Sequence, residues 1–387
     1  MRILAHARVV TPRQVLDPGW LALNGGRIVG VGRGEPPLTG DVIDLDGAYV
    51  LPGFIDLHMH GGGGAQVTTA DPDEILRAVA FHRRHGTTRT LASLVTAPLD
   101  TMAAAAKEIA AIVRAGDTGH GRVIGVHLEG PFLNPARRGS HDPTHLLAPD
   151  LTALRHLLDA GDGTVRVVTL APELDGGMDL VREVVARGAV AAVGHTDASH
   201  DQARAAFAAG ARLATHLFNA MRHFHHREPG PAGAALADDT VTCEIINDGI
   251  HVHPDAVRMA VRAAGADRIA LVTDATPAAG MRDGRFHLGP VPVLARGGRV
   301  TLEDGVSIAG STLTMDAAVR HAVRDVGIPV AEAAYAAATT PARLLGISHQ
   351  VGSLQPGKEA DLVILTPDLH LRTVVVAGAP VHGTPWD

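Results

Sequence analysis

The chain changes its hydrophobic rhythm once, near residue 52. Before that point apolar residues recur in short runs at 2–10, 20–24, 27–32 and 42–45, with the alternation of strands that bury one face. Asn24-Gly25-Gly26, between two of these runs, supplies the positive-φ residues of a tight hairpin. The opening segment therefore predicts a small β module.

Beyond Leu51-Pro52-Gly53 the runs become almost wholly apolar and are separated by amphipathic stretches of helical period. Eight of them, at 54–57, 88–95, 123–128, 165–170, 190–193, 212–215, 241–246 and 269–272, predict parallel strands covered on both faces. Helix starts stand between them. Asp71-Pro72-Asp73-Glu74 offers an N-cap, a proline in the first turn and early acids, and Ser199 with Gln202 has the spacing of a capping box. Strands alternating with helices in this way predict an α/β fold, a (β/α)8 TIM-like barrel over 52–350. Residues 285–301 read as a β insertion in the barrel, and 311–326 and 330–345 as closing helices. Strand-like alternation resumes at 361–365 and 373–376, so 1–51 and 351–387 are expected to pair into one small β-sandwich domain built from both chain ends.

Length fits this division, since 387 residues accommodate a barrel of about 250 and a modest second module. Hydrophobic residues make up 46% and charged residues 19%, which excludes a disordered chain. A net charge of −7 argues against nucleic-acid partners. No run approaches the roughly 20 apolar residues of a membrane helix, and the opening MRILAHARVVTPRQ does not read as a secretory signal. The expected location is the cytoplasm. The one cysteine, Cys243, suits a reducing compartment and lies in an apolar run, which predicts a buried structural thiol.

The unusual count is 23 histidines, and what matters is where they fall. Catalytic groups of a barrel stand at the C-terminal ends of its strands. Run one ends in Asp56-Leu57-His58-Met59-His60, run three in His127-Leu128-Glu129, run five in Gly194-His195-Thr196, run six in Thr215-His216 and run eight in Thr273-Asp274. His-x-His pairs also occur at His223/His225 and His251/His253, so the motif alone says little. His58 and His60 gain weight because strand alternation points both toward the barrel axis, where His195, His216, Glu129 and Asp274 converge. Imidazoles with carboxylates make a site for Zn²⁺ or Fe²⁺. Asp274 suits a general base, able to take a proton from a metal-activated water and return it to a leaving nitrogen.

At these residues the chain resembles the amidohydrolase superfamily, and along its whole length the N-acetylglucosamine-6-phosphate deacetylase family within it. The shared segments include PGFIDLHMHG at 52–61, GVHLEGPFLN at 125–134, THLFNAM at 215–221, REPG at 227–230, DGIH at 248–251 and VTDA at 272–275. The resemblance implies hydrolysis of an acetamido group on a phosphorylated amino sugar. It implies one or two divalent metal ions per subunit, with Glu129, His195 and His216 holding the main ion, and His58 and His60 a second bridged by Glu129. It implies that His141 polarises the substrate carbonyl, and that Asn219, Ala220, His251 and Arg227 hold the phosphate. The arginine belongs to the neighbouring subunit's site, so a homodimer is expected. Two other readings remain open at this point: an amidohydrolase acting on a different N-acyl amino sugar or a cyclic amide, and a non-catalytic scaffold, against which the intact ligand set counts.

Overall fold

A computed structural model describes residues 1–12, 14–37, 39–117 and 119–383, so the last four residues of the predicted C-terminal module, 384–387, lie outside the described residues. Eight parallel strands pair in chain order to form the barrel: Phe54–Asp56, Thr87–Val95, Arg122–Glu129, Val165–Leu170, Val190–Val193, Leu213–Ala214, Thr242–Ile246 and Ile269–Val272. Strand one is shorter than expected, because the backbone turns aside immediately before the histidines. Strands one and eight meet beyond their ordered ends, where Asp274 donates its backbone N–H to His58 O at 2.8 Å and His60 donates its own to Ala275 O at 2.9 Å. Barrel closure therefore brings His58, His60 and Asp274 together.

Alternation along the strands sorts the core. Val126, Leu128, Val168, Leu170, Ala214 and Ile245 pack with the surrounding helices, while Leu91, Val167, Ala192, Leu213, Ala270 and Val272 fill the barrel. Above that apolar plug lies a polar layer. His127 Nδ1 is 2.9 Å from Ser93 Oγ, its Nε2 is 2.8 Å from Thr169 Oγ1, and Thr169 Oγ1 is 2.8 Å from Thr215 Oγ1. Helix starts follow the sequence. Asp71 caps Pro72–Arg83, and Ser199 with Gln202 forms a reciprocal capping box on His200–Ala208.

Both chain ends share one sheet, in which Leu362–Leu365 pairs antiparallel with Tyr49–Pro52, itself parallel to Arg2–Val10. Arg89, buried on strand two, forms ion pairs with Asp361 and Glu359 and so joins the barrel to that sheet. Three elements differ from the sequence reading. Tyr49–Pro52 is a strand, although its Leu-Pro resembles punctuation; Ala379–Gly383 adds another; and the insertion is a four-stranded antiparallel sheet running from Gly284 to Ser311. Its last strand, Ile308–Ser311, takes in the residue at which the first closing helix is expected to begin. That helix starts only at Met315.

Among the described residues no helix is long and apolar enough to cross a membrane. Cys243 points outward from strand seven into the helix layer, and burial pushes its thiol up to about 12. A thiol held protonated and out of reach is unreactive. Ellman's reagent is expected to release no thiolate from the native protein and one equivalent in guanidinium; a rapid native reaction would contradict this packing.

Candidate metal centre

Seven polar side chains converge at the C-terminal mouth of the barrel. Glu129 ends strand three and is the hub: Oε1 lies 3.1 Å from His195 Nε2, 3.1 Å from His216 Nε2 and 3.3 Å from His58 Nε2, and Oε2 lies 3.2 Å from His60 Nε2 and 3.3 Å from His141 Nε2. Asp274 Oδ1 completes the cluster, 3.1 Å from His60 Nε2 and 3.6 Å from His58 Nε2. Two adjacent groups with metal-ligand spacing result among the described residues, one of His58, His60 and Asp274, the other of Glu129, His141 and His195. His195, His216, Ala220 and Asp274 all have positive φ, at 48°, 29°, 49° and 48°. Such backbone is strained for residues with a Cβ and marks places where the fold holds a side chain over a site.

Hydrogen bonds at the far ring nitrogens set the tautomers. His60 Nδ1 is 2.8 Å from Ser93 O and His195 Nδ1 is 2.9 Å from Arg137 O. Carbonyls only accept, so each Nδ1 carries the proton and each Nε2 presents a lone pair. His58 Nδ1 faces Glu244 Oε2 at 3.2 Å, with the same consequence. The Nε2 atoms of His195 and His216 stand 3.0 Å apart, His216 Nδ1 having no partner among the described residues to set its tautomer, and the lone pairs of His58 and His60 face one another at 2.9 Å. Lone pairs that close repel unless a cation lies among them, and the donor set suits a divalent ion. Without one, protons take its place. Burial works against a charge on His60, but Asp274 and Glu129 raise it to about 9.

His141 is wired the other way. Its Nδ1 accepts the backbone N–H of Thr96 at 3.3 Å, which leaves the proton on Nε2. It faces the cluster as a donor, suited to a carbonyl oxygen rather than to a metal, even though its spacing alone groups it with the ligands.

A cavity of about 170 Å³ opens over the cluster, lined also by Gly139, Ser140, Asn219, Ala220, Ile246 and His251, with Leu288, Ile308 and Gly310 contributed by the β insertion. Asn219 donates its amide to His216 O and Leu217 O at 3.2 Å, and His251 is held by Asp248 Oδ2 at 2.7 Å. Of the candidate site residues, His58 reaches the cluster without lining the cavity, and Arg227 is brought to neither. It lies on an exposed segment beside His226, near the exposed Phe224. Glu244 escaped the sequence reading, although an acid within the apolar run 241–246 was the available signal.

The Amidohydrolase family matches residues 49–381 of the chain. The chain is 35% identical to an N-acetylglucosamine-6-phosphate deacetylase of Bacillus subtilis, with 97% of this chain and 96% of that protein covered. It is 40% identical to an N-acetylgalactosamine-6-phosphate deacetylase of Escherichia coli O157:H7, with 95% and 97% covered. A mutant N-acetyl-D-glucosamine-6-phosphate deacetylase of Mycobacterium smegmatis, solved in complex with N-acetyl-D-glucosamine-6-phosphate, superposes with a TM-score of 0.94 at 44% identity, covering 98% of this chain and 99% of that one.

Proposed function

The chain belongs to the amidohydrolase family, and from that premise we propose that it hydrolyses N-acetyl-D-glucosamine 6-phosphate to D-glucosamine 6-phosphate and acetate. The observation that carries this reading is whole-length similarity, at a TM-score of 0.94, to a deacetylase solved with that sugar. The cavity over the carboxylate and histidine cluster supplies the place for the chemistry.

Glu129, His195 and His216 are the residues to hold the main divalent ion, Zn²⁺ or Fe²⁺ by donor type, and His58 and His60 a second shared through Glu129. A divalent ion held by these residues would supply acidification of a water and polarisation of the amide carbonyl. Asp274 takes the proton from the attacking water. His141 donates its Nε2–H to the carbonyl oxygen as negative charge grows there, and protonated Asp274 then delivers its proton to the amine as the C–N bond breaks. Leu288 and Ile308 supply apolar surface to the cavity lining. His251, Asn219 and the backbone at Ala220 are placed to receive the phosphate.

Arg227 would complete that phosphate site from a second subunit of a homodimer, a reading supported by its exposure and its distance from the cavity of its own chain. We place the reaction in the cytoplasm, where the single buried thiol stays reduced.

Acetate release from N-acetylglucosamine 6-phosphate, its unphosphorylated form and the galacto epimer tests the assignment. The 40% identity to a galactosamine-type enzyme makes the epimer a real competitor. Strong turnover of the gluco phosphate is expected; preference for the galacto phosphate would move the substrate and keep the chemistry, and turnover of neither would overturn the assignment. Arg227→Ala is expected to raise KM for the phosphorylated sugar about 10- to 100-fold, the worth of a lost charge-assisted hydrogen bond, with little change in kcat. An unchanged KM would remove Arg227 from the site.

A further inference from the structure

Strand seven carries a carboxylate that the reaction above does not use. Glu244 points into the barrel from Thr242–Ile246 and has no solvent exposure. Its Oε2 lies 3.2 Å from His58 Nδ1 and accepts the backbone N–H of His216 at 3.2 Å, while Oε1 has no hydrogen-bond partner among the described residues. A barrel interior normally holds branched apolar residues at such positions, and a carboxylate there is costly unless something nearby compensates it.

We propose that Glu244 is the positioning residue for the second metal ion. By accepting the Nδ1–H of His58 it fixes the tautomer whose Nε2 lone pair meets His60, 2.9 Å away, and the shared Glu129. The far nitrogens of His60 and His195 rest on backbone carbonyls, whereas that of His58 rests on a side-chain carboxyl group. A carboxyl partner on Nδ1 orients the His58 ring and increases its donor strength toward a cation in the strand-one pair. The same oxygen also holds the main chain of His216, so one side chain aligns a residue from each half of the cluster. The inference rests on the metal-centre reading and is independent of which sugar is the substrate.

The test is metal binding by the full chain, stripped and then titrated with Zn²⁺, with ions per subunit counted by mass spectrometry and the dissociation constant of each ion obtained by chelator competition. Wild type is expected to take two ions. Glu244→Leu is expected to weaken the second about 10- to 100-fold and the first, which His216 serves, by less, and Glu244→Gln, which keeps an oxygen for the Nδ1–H, to weaken the second less than Leu does. Second-ion affinity equal to wild type in Glu244→Leu overturns the proposal; if that variant does not fold, equality in Glu244→Gln does so. A wild type that takes one ion overturns it while leaving the main site standing, and a wild type that takes none overturns the metal centre itself.

Discussion

Asp274→Asn is expected to lower kcat for the sugar phosphate by about 10²- to 10⁴-fold, the usual worth of a general acid-base group, with the first metal ion retained. The amide is nearly the same size and keeps an oxygen toward His60, but it cannot accept a proton from water or return one to the amine. Asp274 is placed for both transfers. It closes the ring between strands one and eight, its backbone N–H donating to His58 O at 2.8 Å and its carbonyl accepting from Ser311 N–H at 2.8 Å, so the side chain is aimed from a fixed base. Burial opposes its charge, but His58 and His60 hold the carboxyl well below the usual range, so that it stands ionised. The measurement is kcat and ions per subunit on the same preparation. Near-wild-type turnover in a metal-loaded Asn variant would assign the proton transfers to another group; loss of turnover together with loss of both ions would make Asp274 a ligand first and a base second.

Much of this site could be read from the order of residues, for a physical reason. A barrel converts a position along the chain into a position in space, since each strand ends on the same rim, so polar residues at the ends of apolar runs must converge. Glu129, His195, His216 and Asp274 were legible in that way, and His58 and His60 by alternation. Three things were not. The different wiring of His141 depends on a backbone N–H from Thr96, on another strand's end, and no local pattern records it. Glu244 is hidden because an inward position mid-strand is ordinarily core, and its partner is 186 residues away in sequence. Tyr49–Pro52 looked like a boundary because proline breaks central strands; here Pro52 is the strand's final residue, and Gly53 beside it takes up the next backbone bond to Asp361 O.

Glu129→Gln is expected to abolish turnover, because its two oxygens face the ligand nitrogens of both halves of the cluster. Five imidazoles lie within 3.3 Å of its two oxygens, and no neighbouring group can take over both contacts. An amide has half the acceptor capacity and no charge, so both ions should be lost or bound weakly. Water then keeps its pKa of about 15.7 instead of one near 7, a difference of several orders of magnitude in available nucleophile. Ion counts and kcat should fall together, and a Gln variant with two tightly bound ions would sink the bridging role. The metal-free protein offers a second readout. The folded-state pKa of His60 stands above its unfolded value of 6.5, at about 9, so its contribution to stability is fully present below 6.5 and is lost as pH rises through 9. Melting temperature of the chelated wild type should decline across that window. In Glu129→Gln one of the two carboxylates that raise His60 is gone, so the decline should be shallower and end at lower pH; an identical slope in both proteins would mean that Asp274 alone sets the proton affinity of the strand-one pair.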